Sequence, residues 1–224
     1  MNPSKRQPTF NQFRYEPEFE QLTNTEFALL KANILHRTYK KGQMLFYEGD
    51  PRERFYFVTS GLVRLESYDE SATYYYYDYI AHNRLFPTAG LFQATSYQHS
   101  AQAMTDVETF YLSVPLFEQV CQNNPNQLVY LIKKLNKIIA AHQLRLQTGL
   151  TSNAHDRVEQ NLYILKQELG EKEDKAKITI PFPITLKELA ANSGTTRETA
   201  GQVIKKLKLD GHLNYDKKIF TFFE

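Results

Sequence analysis

The sequence predicts an α+β protein in three parts: an all-β region, one long helix, and a C-terminal helix-turn-helix followed by a hairpin. Three observations support this order. Short apolar runs fill residues 40–115, apolar residues recur at spacings of three and four over 125–149, and a capping motif precedes a turn at Gly194. We therefore expect an N-terminal extension at 1–24, an all-β domain at 25–124, the long helix at 125–149 and a C-terminal domain at 150–224.

The composition is ordinary for a folded protein and excludes several classes. Hydrophobic residues make up 42% and charged residues 23% of the 224 residues. No apolar run reaches the roughly 18 residues of a membrane helix, and the N-terminus lacks the apolar core of a secretory signal. We expect a cytoplasmic protein with no membrane partner. The single cysteine, Cys121, excludes an internal disulfide and a multi-cysteine zinc or iron–sulfur site. No cofactor is expected.

The all-β prediction depends on repeated short strands. Turns that contain Gly or Asp separate the apolar or aromatic runs at 44–47, 55–58, 62–65, 73–80 and 108–112. Many short strands at such spacing are typical of a sandwich or barrel. Before them, residues 1–24 are expected to be a loosely ordered extension, and Thr25 to Ala32 to form a short helix.

One of these strands carries a run of tyrosines at residues 74–77, followed by Tyr79. Because side chains alternate across a strand, Tyr75, Tyr77 and Tyr79 share one face. Two interpretations stay open. The run is either an aromatic strand with one packed face, or a strand with one face lining a ligand pocket.

The long helix is predicted to pair in parallel with a second copy of the chain. Its spacings of three and four form the seam of a coiled coil at Leu128, Leu131, Leu135, Ile138 and His142. A second apolar stripe is formed by Ile132, Ile139 and Leu146. The two stripes indicate two apolar neighbours, namely the twin helix and the all-β domain. His142 is interpreted as a polar residue that sets the register, with a ligand or a pH switch as the alternative. Lys133, Lys134 and Lys137 are interpreted as solvated residues.

The C-terminal domain begins with a helix and a loop. Ser152 or Asn153 is suited to cap a helix that ends near Leu169, with Val158, Leu162 and Leu165 facing inward. The charged residues 170–177 are predicted to form a loop and residues 178–182 a short strand.

A helix-turn-helix is predicted from residues 184–207. Thr185 and Glu188 form a capping box that opens the first helix. Gly194 suits a tight turn, and Thr195 or Thr196 caps the second helix. The inward positions of the two helices are Leu189, Ala190, Ala200, Val203, Ile204 and Leu207. Two short helices around such a turn are typical of this motif.

The second helix carries side chains suited to reading DNA. Arg197, Glu198 and Gln202 lie on or beside its outward face near the N-terminus, where base edges are contacted. Arg pairs with guanine, Glu accepts from cytosine, and Gln pairs with adenine. After Gly211, a hairpin is predicted as a wing. We expect phosphate contacts from Thr185, Lys187, Thr196, Thr199, Lys205, Lys217 and Lys218. The alternative is a helical hairpin whose polar face is simply hydrated.

Three motifs in order resemble the Crp/Fnr family of bacterial regulators: GQMLFYEGD at 42–50, FYFVTSGLVR at 55–64 and TRETAG at 196–201. The resemblance covers about residues 25–224. It implies a double-stranded β-roll (a jelly roll like that of cyclic-nucleotide-binding domains), a long dimerisation helix and a winged helix-turn-helix. It also implies a homodimer on pseudo-palindromic, double-stranded promoter DNA, with RNA polymerase as functional partner and a small-molecule effector in the β-roll.

The sequence departs from the members of that family that bind cyclic nucleotides. Where they have Phe-Gly-Glu, this chain has residues 86–88, and Thr88 supplies no carboxylate for a ribose. Where they have a phosphate-binding Arg, it has His99, which is mostly neutral at pH 7. Cyclic AMP is therefore not the expected effector. From the resemblance and the strand phase, the candidate pocket residues are Tyr75, Tyr77, Thr88, His99 and Ser100.

Shorter strings at 85–87, 90–92, 150–152 and 197–201 are similar to regulators of arginine deiminase pathway genes. Two other functions stay open. One is a small-molecule sensor that works through protein contacts without binding DNA. The other is a metal-dependent β-barrel enzyme, for which His82 and His99 lack the usual His-x-His spacing.

Overall fold

A computed structural model describes residues 9–68, 75–174 and 176–223. The chain divides into two compact units. Unit 1 comprises Met1–Val63 and Ile80–Lys137, and unit 2 comprises Arg64–Tyr79 and Ile138–Glu224. The division falls inside the long helix, whereas the predicted segments placed that helix apart from both neighbours.

The all-β region, the long helix and the helix-turn-helix with its hairpin follow one another in the predicted order, with additional elements. A short 3₁₀ turn at Phe10–Phe13 precedes α1 (Asn24–Asn33), β1 (Leu35–Tyr39), β2 (Met44–Phe46), β3 (Arg54–Ser60), β4 (Val63–Tyr68), β5 (Tyr75–Ile80), β6 (Arg84–Phe86), β7 (Ser100–Ala103), β8 (Val107–Ser113) and α2 (Val114–Gln122). There follow α3 (Pro125–Gly149), α4 (Ala154–Leu169), β9 (Glu171–Lys172), β10 (Lys177–Ile180), α5 (Leu186–Asn192), α6 (Arg197–Leu209), β11 (Leu213–Asp216) and β12 (Ile219–Phe223).

Unit 1 contains a four-stranded antiparallel sheet in the order β1-β8-β3-β6. Phe57 of β3 is paired with Phe110 of β8, and Tyr56 with Phe86 of β6. Strand β2 pairs with β7 in the same unit. Side chains alternate along β3, so that Phe55 and Phe57 face the helices while Tyr56 packs beside Phe86 on the other face.

The core of unit 1 includes the N-terminal segment, which corrects the expected loose extension. Phe10, Phe13 and Phe19 are buried together with Leu22. The ring of Phe10 stacks on Phe27 of α1 at 5.0 Å between centroids. The apolar side chains supply the reason, because burying a phenylalanine removes a large area from water. The helix expected over 25–32 is confirmed as α1.

Lys134 of α3, expected to be solvated, is buried. Its Nζ lies 2.7 Å from Oε1 of Glu18 and donates to the carbonyl oxygen of Leu85 at 2.9 Å. Burial lowers the pKa of Lys134, which the neighbouring Glu18 opposes. The partner carboxylate lies in the N-terminal segment, so the composition of α3 alone did not indicate it.

Helix α3 has the predicted bounds, but two residues of its predicted seam pack in the core of unit 1. Leu131 is only 2% exposed and Leu128 packs against the same core, so both contact unit 1 and the seam assignment is wrong for them. Leu135, Ile138 and His142 are half-buried. The exposed apolar side chains include Val129, Ile132, Ile139 and Leu146 at 48%, 57%, 53% and 71%. We call these four residues the exposed stripe.

Unit 2 contains the winged helix-turn-helix. Asn153 caps α4 by accepting from the N–H of His155 at 2.9 Å, and Val158, Leu162 and Leu165 are buried as predicted. The sheet order is β11-β12-β10-β9. Residues 171–172, predicted to lie in a loop, pair with β10 as a two-residue strand. Among the described residues, no helix is long and apolar enough to cross a membrane.

Candidate nucleic-acid interface

The first helix of the motif begins at the predicted capping box. Thr185 Oγ1 accepts from the N–H of Glu188 at 3.1 Å, and Oε2 of Glu188 accepts from the N–H of Thr185 at 2.8 Å. The other carboxylate oxygen of Glu188 accepts from Nη1 of Arg64 at 2.8 Å. These contacts bury Glu188 and fix the start of α5, whose Leu189 and Ala190 lie in the core of unit 2.

The turn between α5 and α6 is held from both sides. Ser193 caps the C-terminus of α5, and Gly194 follows with φ of +55°, a conformation that favours glycine. Asn161 of α4 donates to Oγ of Ser193 at 3.1 Å. Arg157, also on α4, donates to the carbonyl oxygens of Ser193 and Gly194 at 2.9 Å each. The turn is therefore anchored to α4.

Helix α6 presents one buried and one exposed face. Thr196 caps it by accepting from the N–H of Thr199 at 3.2 Å, which selects one of the two predicted caps. The inward residues Ala200, Val203 and Ile204 are buried. The three predicted base-reading residues, Arg197, Glu198 and Gln202, are all exposed. The first two turns of α6 thus present exposed polar side chains, as a reading helix requires.

Glu198 lies in the first turn of α6, where it is fully accessible. Hydrogen bonds from its own backbone N–H and from the Thr196 hydroxyl hold the pKa of Glu198 below its ordinary value. The carboxylate is therefore ionised at neutral pH and acts only as an acceptor. A carboxylate that only accepts can pair with the amino group of cytosine or adenine. It disfavours a base that presents an acceptor at that position.

The predicted phosphate-contacting residues surround this face. Lys187, Thr196 and Lys205 are exposed, and Thr185 and Thr199 are half-buried. The two threonines that cap helices use their hydroxyl oxygens as acceptors for backbone N–H groups. An N-cap can still hold a phosphate, because the free N–H groups of a helix N-terminus attract anions.

The predicted wing is a tight hairpin of β11 and β12. Lys217 and Lys218 form its two-residue turn with φ of 47° and 70°, the combination found in type I′ turns. Both lysine side chains are exposed at the tip. Tyr215 anchors the hairpin by donating to the carbonyl oxygen of Ile184 at 3.0 Å, just before α5.

The structure describes the side chains of three of the five candidate effector residues. Oγ of Ser100 is buried and accepts from the N–H of Glu48 at 3.0 Å, so it is already used within unit 1. Thr88 and His99 are half-buried. The side chains of Tyr75 and Tyr77 lie outside the described part of the chain. A cavity of about 610 Å³ lies in unit 2, and the three candidates whose side chains are described, Thr88, His99 and Ser100, do not line it. The effector pocket remains a prediction.

Three supporting residues were missed from the sequence: Arg64, Arg157 and Asn161. The last two lie one helical turn apart on α4, and their partners are the turn at 193–194. A polar pair at a spacing of four on an otherwise amphipathic helix was the available signal. The contact between Arg64 and Glu188 had no local signal, because the two residues are 124 positions apart in sequence.

Comparisons with known proteins agree with this architecture. A family model for the cyclic nucleotide-binding domain matches residues 36–124. The HTH-type transcriptional regulator ArcR of Staphylococcus epidermidis is 30% identical over 182 residues, which cover 80% of this chain and 77% of the relative. ArcR of Staphylococcus haemolyticus is 28% identical over 181 residues, covering 80% and 78%.

Solved structures are similar over most of the chain. A CRP/FNR-family transcriptional regulator from Thermus thermophilus has a TM-score of 0.62 and 26% identity, covering 85% of this chain and 94% of that one. The c-di-GMP-responsive global regulator CLP of Xanthomonas campestris has a TM-score of 0.71 and 22% identity, covering 90% and 100%. The predicted fold class, with its β-roll and C-terminal helix-turn-helix, is confirmed.

Proposed function

Because this chain belongs to the Crp/Fnr family of transcriptional regulators, we propose that it acts as a homodimer that binds pseudo-palindromic promoter sites with one α6 helix in each half-site. The observation that carries the proposal is the division of α6 into two faces. Ala200, Val203 and Ile204 are buried, while the exposed face of α6 begins with Arg197 and Glu198.

Base reading is assigned to Arg197, Glu198 and Gln202. The exposed guanidinium of Arg197 suits a bidentate contact with guanine, and the ionised Glu198 accepts from an exocyclic amino group. Gln202 follows one turn later and suits adenine. The best-known family member has Arg where this chain has Gln202, so we expect the middle of each half-site to depend less strictly on guanine.

Phosphate contacts are assigned to two groups of residues. One lies at the helix starts and on α6, and the other is the wing turn with Lys217 and Lys218. These contacts fix the register without reading sequence. Each lysine that neutralises a phosphate releases counterions, so binding weakens steeply with salt.

The second copy of the chain is proposed to bind along the exposed stripe of α3. Val129, Ile132, Ile139 and Leu146 follow spacings of three and seven, which keep them on one side of a supercoiled helix. Exposed apolar side chains in such a row favour a partner that covers them. Two-fold symmetry then separates the paired reading helices by about 34–36 Å, one turn of DNA.

Cyclic AMP is not the proposed effector. Thr88 has no carboxylate for a ribose, and the hydroxyl of Ser100 is already hydrogen-bonded to Glu48. Pro87 removes a backbone donor from the same loop. RNA polymerase as partner, and the narrower resemblance to regulators of arginine deiminase pathway genes, are both proposed from resemblance.

Selection of binding sites from a random DNA pool tests the function. We expect the wild-type protein to enrich an inverted repeat. Arg197→Ala should weaken binding to the selected duplex by about 1–3 kcal/mol, with a smaller effect on a scrambled duplex. Lys206→Gln, an exposed cation late on α6, is the matched control for loss of charge. An equal loss on both duplexes would contradict base reading by Arg197. No enriched sequence would favour the sensor that works without DNA.

The dimer has its own test, light scattering after size-exclusion chromatography. Ile139→Lys places a charge in the exposed stripe and should shift the wild-type dimer toward single subunits. Lys137→Gln changes an exposed residue beside the stripe and should leave the mass unchanged. A monomeric wild-type protein at micromolar concentration would contradict the proposed dimer.

A further inference from the structure

We propose that Arg157 is a positioning residue for DNA recognition that ties the α3–α4 linker (residues 150–153) to the turn that precedes α6. The inference rests on the proposed function, since α6 is there the reading helix. It adds that the pose of α6 depends on one guanidinium, which lies on α4 and contacts no base.

All four hydrogen bonds of the Arg157 side chain go to backbone carbonyl oxygens. Nη1 donates to Thr151 at 2.8 Å and to Ser152 at 3.1 Å. Nε donates to Ser193 at 2.9 Å, and Nη2 donates to Gly194 at 2.9 Å. The planar fork of arginine suits this arrangement, because its donors point in fixed directions toward two separate segments.

None of the four acceptors belongs to α4, the helix that carries Arg157. Two lie in the α3–α4 linker and two in the turn after α5. An arginine that only strengthened its own helix would need neither segment. The side chain therefore acts as a cross-link between two stretches of backbone that are about 40 residues apart in sequence.

The charge of Arg157 also fits the place where it lies. Among the described residues, no carboxylate forms an ion pair with it. Ser193 is the C-cap of α5, and the carbonyl groups at a helix C-terminus carry partial negative charge. A cation at this end is favourable, and arginine keeps its charge at every physiological pH.

The turn at residues 193–194 connects the hydrogen bonds of Arg157 to the start of α6. Gly194 is two residues before the N-cap Thr196. Asn161, which lies on the same helix as Arg157, donates a hydrogen bond of 3.1 Å to Oγ of Ser193. A change in the α3–α4 linker thus moves the carbonyl oxygens of Thr151 and Ser152. These accept from the same guanidinium that holds the turn before α6. Arg197 and Glu198 directly follow the N-cap Thr196, so their orientation toward the bases depends on the hydrogen bonds of Arg157.

The test compares Arg157→Gln and Arg157→Lys with the control Lys206→Gln in the full-length protein. Binding is measured by fluorescence anisotropy on the duplex that the wild-type protein selects and on a scrambled duplex at the same salt. Amide hydrogen exchange over residues 193–199 and urea unfolding are measured on the same samples. The lysine variant keeps the charge but not the fork, and it carries the test if the glutamine variant does not fold.

We expect both Arg157 variants to bind the selected duplex about tenfold or more weakly, with a smaller loss on the scrambled duplex. Exchange over 193–199 should rise in both, while Lys206→Gln stays near wild type. A role in stability alone would lower the urea midpoint without changing the ratio of the two affinities.

Two further results overturn the proposal, and they are distinguishable. If the wild-type protein selects a sequence but the Arg157 variants bind it like the control, only the role of Arg157 fails. If the wild-type protein selects no sequence, the proposed function fails and the role of Arg157 with it.

Discussion

The two units of this chain are stabilised in different ways. Unit 1 packs aromatic rings from distant segments, with Phe13 and Phe19 each 5.0 Å from Phe57 between ring centroids. The helix-turn-helix of unit 2 is organised by caps and by polar side chains around Ser193. A deep apolar core spreads its stability over many contacts, whereas a reading surface depends on single hydrogen bonds that fix direction.

One motif, the capping box, occurs in both units. Thr23 and Glu26 start α1 with a capping box whose distances are 3.2 and 2.8 Å. Thr185 and Glu188 start α5 with 3.1 and 2.8 Å. The capping geometry is the same, but only the second box begins a helix of the proposed DNA interface.

The largest expected effect is in the core of unit 1. Phe57 is fully buried, so Phe57→Ala should lower the free energy of unfolding by about 3–5 kcal/mol through lost contacts and a cavity. Urea unfolding measures this loss. Alkylation of Cys121 is a second measurement, because burial raises the pKa of that thiol to about 12 and keeps it unreactive while unit 1 is folded.

The matched control for that prediction is Phe223→Ala, at a phenylalanine of β12 that is 44% exposed. We expect it to cost much less. If the two variants had equal midpoints, the aromatic cluster would not be the main source of stability in unit 1.

The capping boxes give a smaller effect that separates stability from function. Thr23→Ala and Thr185→Ala should each cost about 1 kcal/mol of stability, because each removes one N-cap acceptor. Only Thr185→Ala should also weaken DNA binding, measured by anisotropy at constant salt. Weaker binding by Thr23→Ala as well would mean that the two units are not separable in function.

The smallest expected effect is in the wing. Lys217→Gln and Lys218→Gln should leave stability unchanged, since both side chains are exposed in the turn. Each should reduce the slope of log affinity against log salt by about 1 if it contacts a phosphate. A slope that is unchanged in both variants would remove the wing from the proposed interface.

The same contrast explains what could be predicted from the sequence. The caps Asn153, Thr185 and Thr196 and the turn at Gly194 have local signals, and the structure contains each of them. Strands with alternating or apolar runs were also predicted, with ends that differ by a few residues. Local patterns therefore determine most of the helix-turn-helix.

Features that depend on distant partners were not predictable. Strands β1, β6 and β7 are short or polar and have no strong local signal. Helix α2 was missed although it has one, because Ser113 caps it and Pro115 lies in its first turn. Both stripes of α3 have the spacing of a coiled coil. The choice between them depends on the N-terminal phenylalanines, which complete the core that buries Leu131. The exposure of Arg197, Glu198 and Gln202 was predictable, because exposure on a capped amphipathic helix is a local property.

The most direct test of the central claim is methylation protection of guanine N7 by dimethyl sulfate, because N7 lies in the major groove. On the selected duplex, the wild-type protein should protect guanines in two patches about one helical turn apart, and Arg197→Ala should restore their methylation. A single patch, or protection that survives Arg197→Ala, would contradict the reading of DNA by a pair of α6 helices.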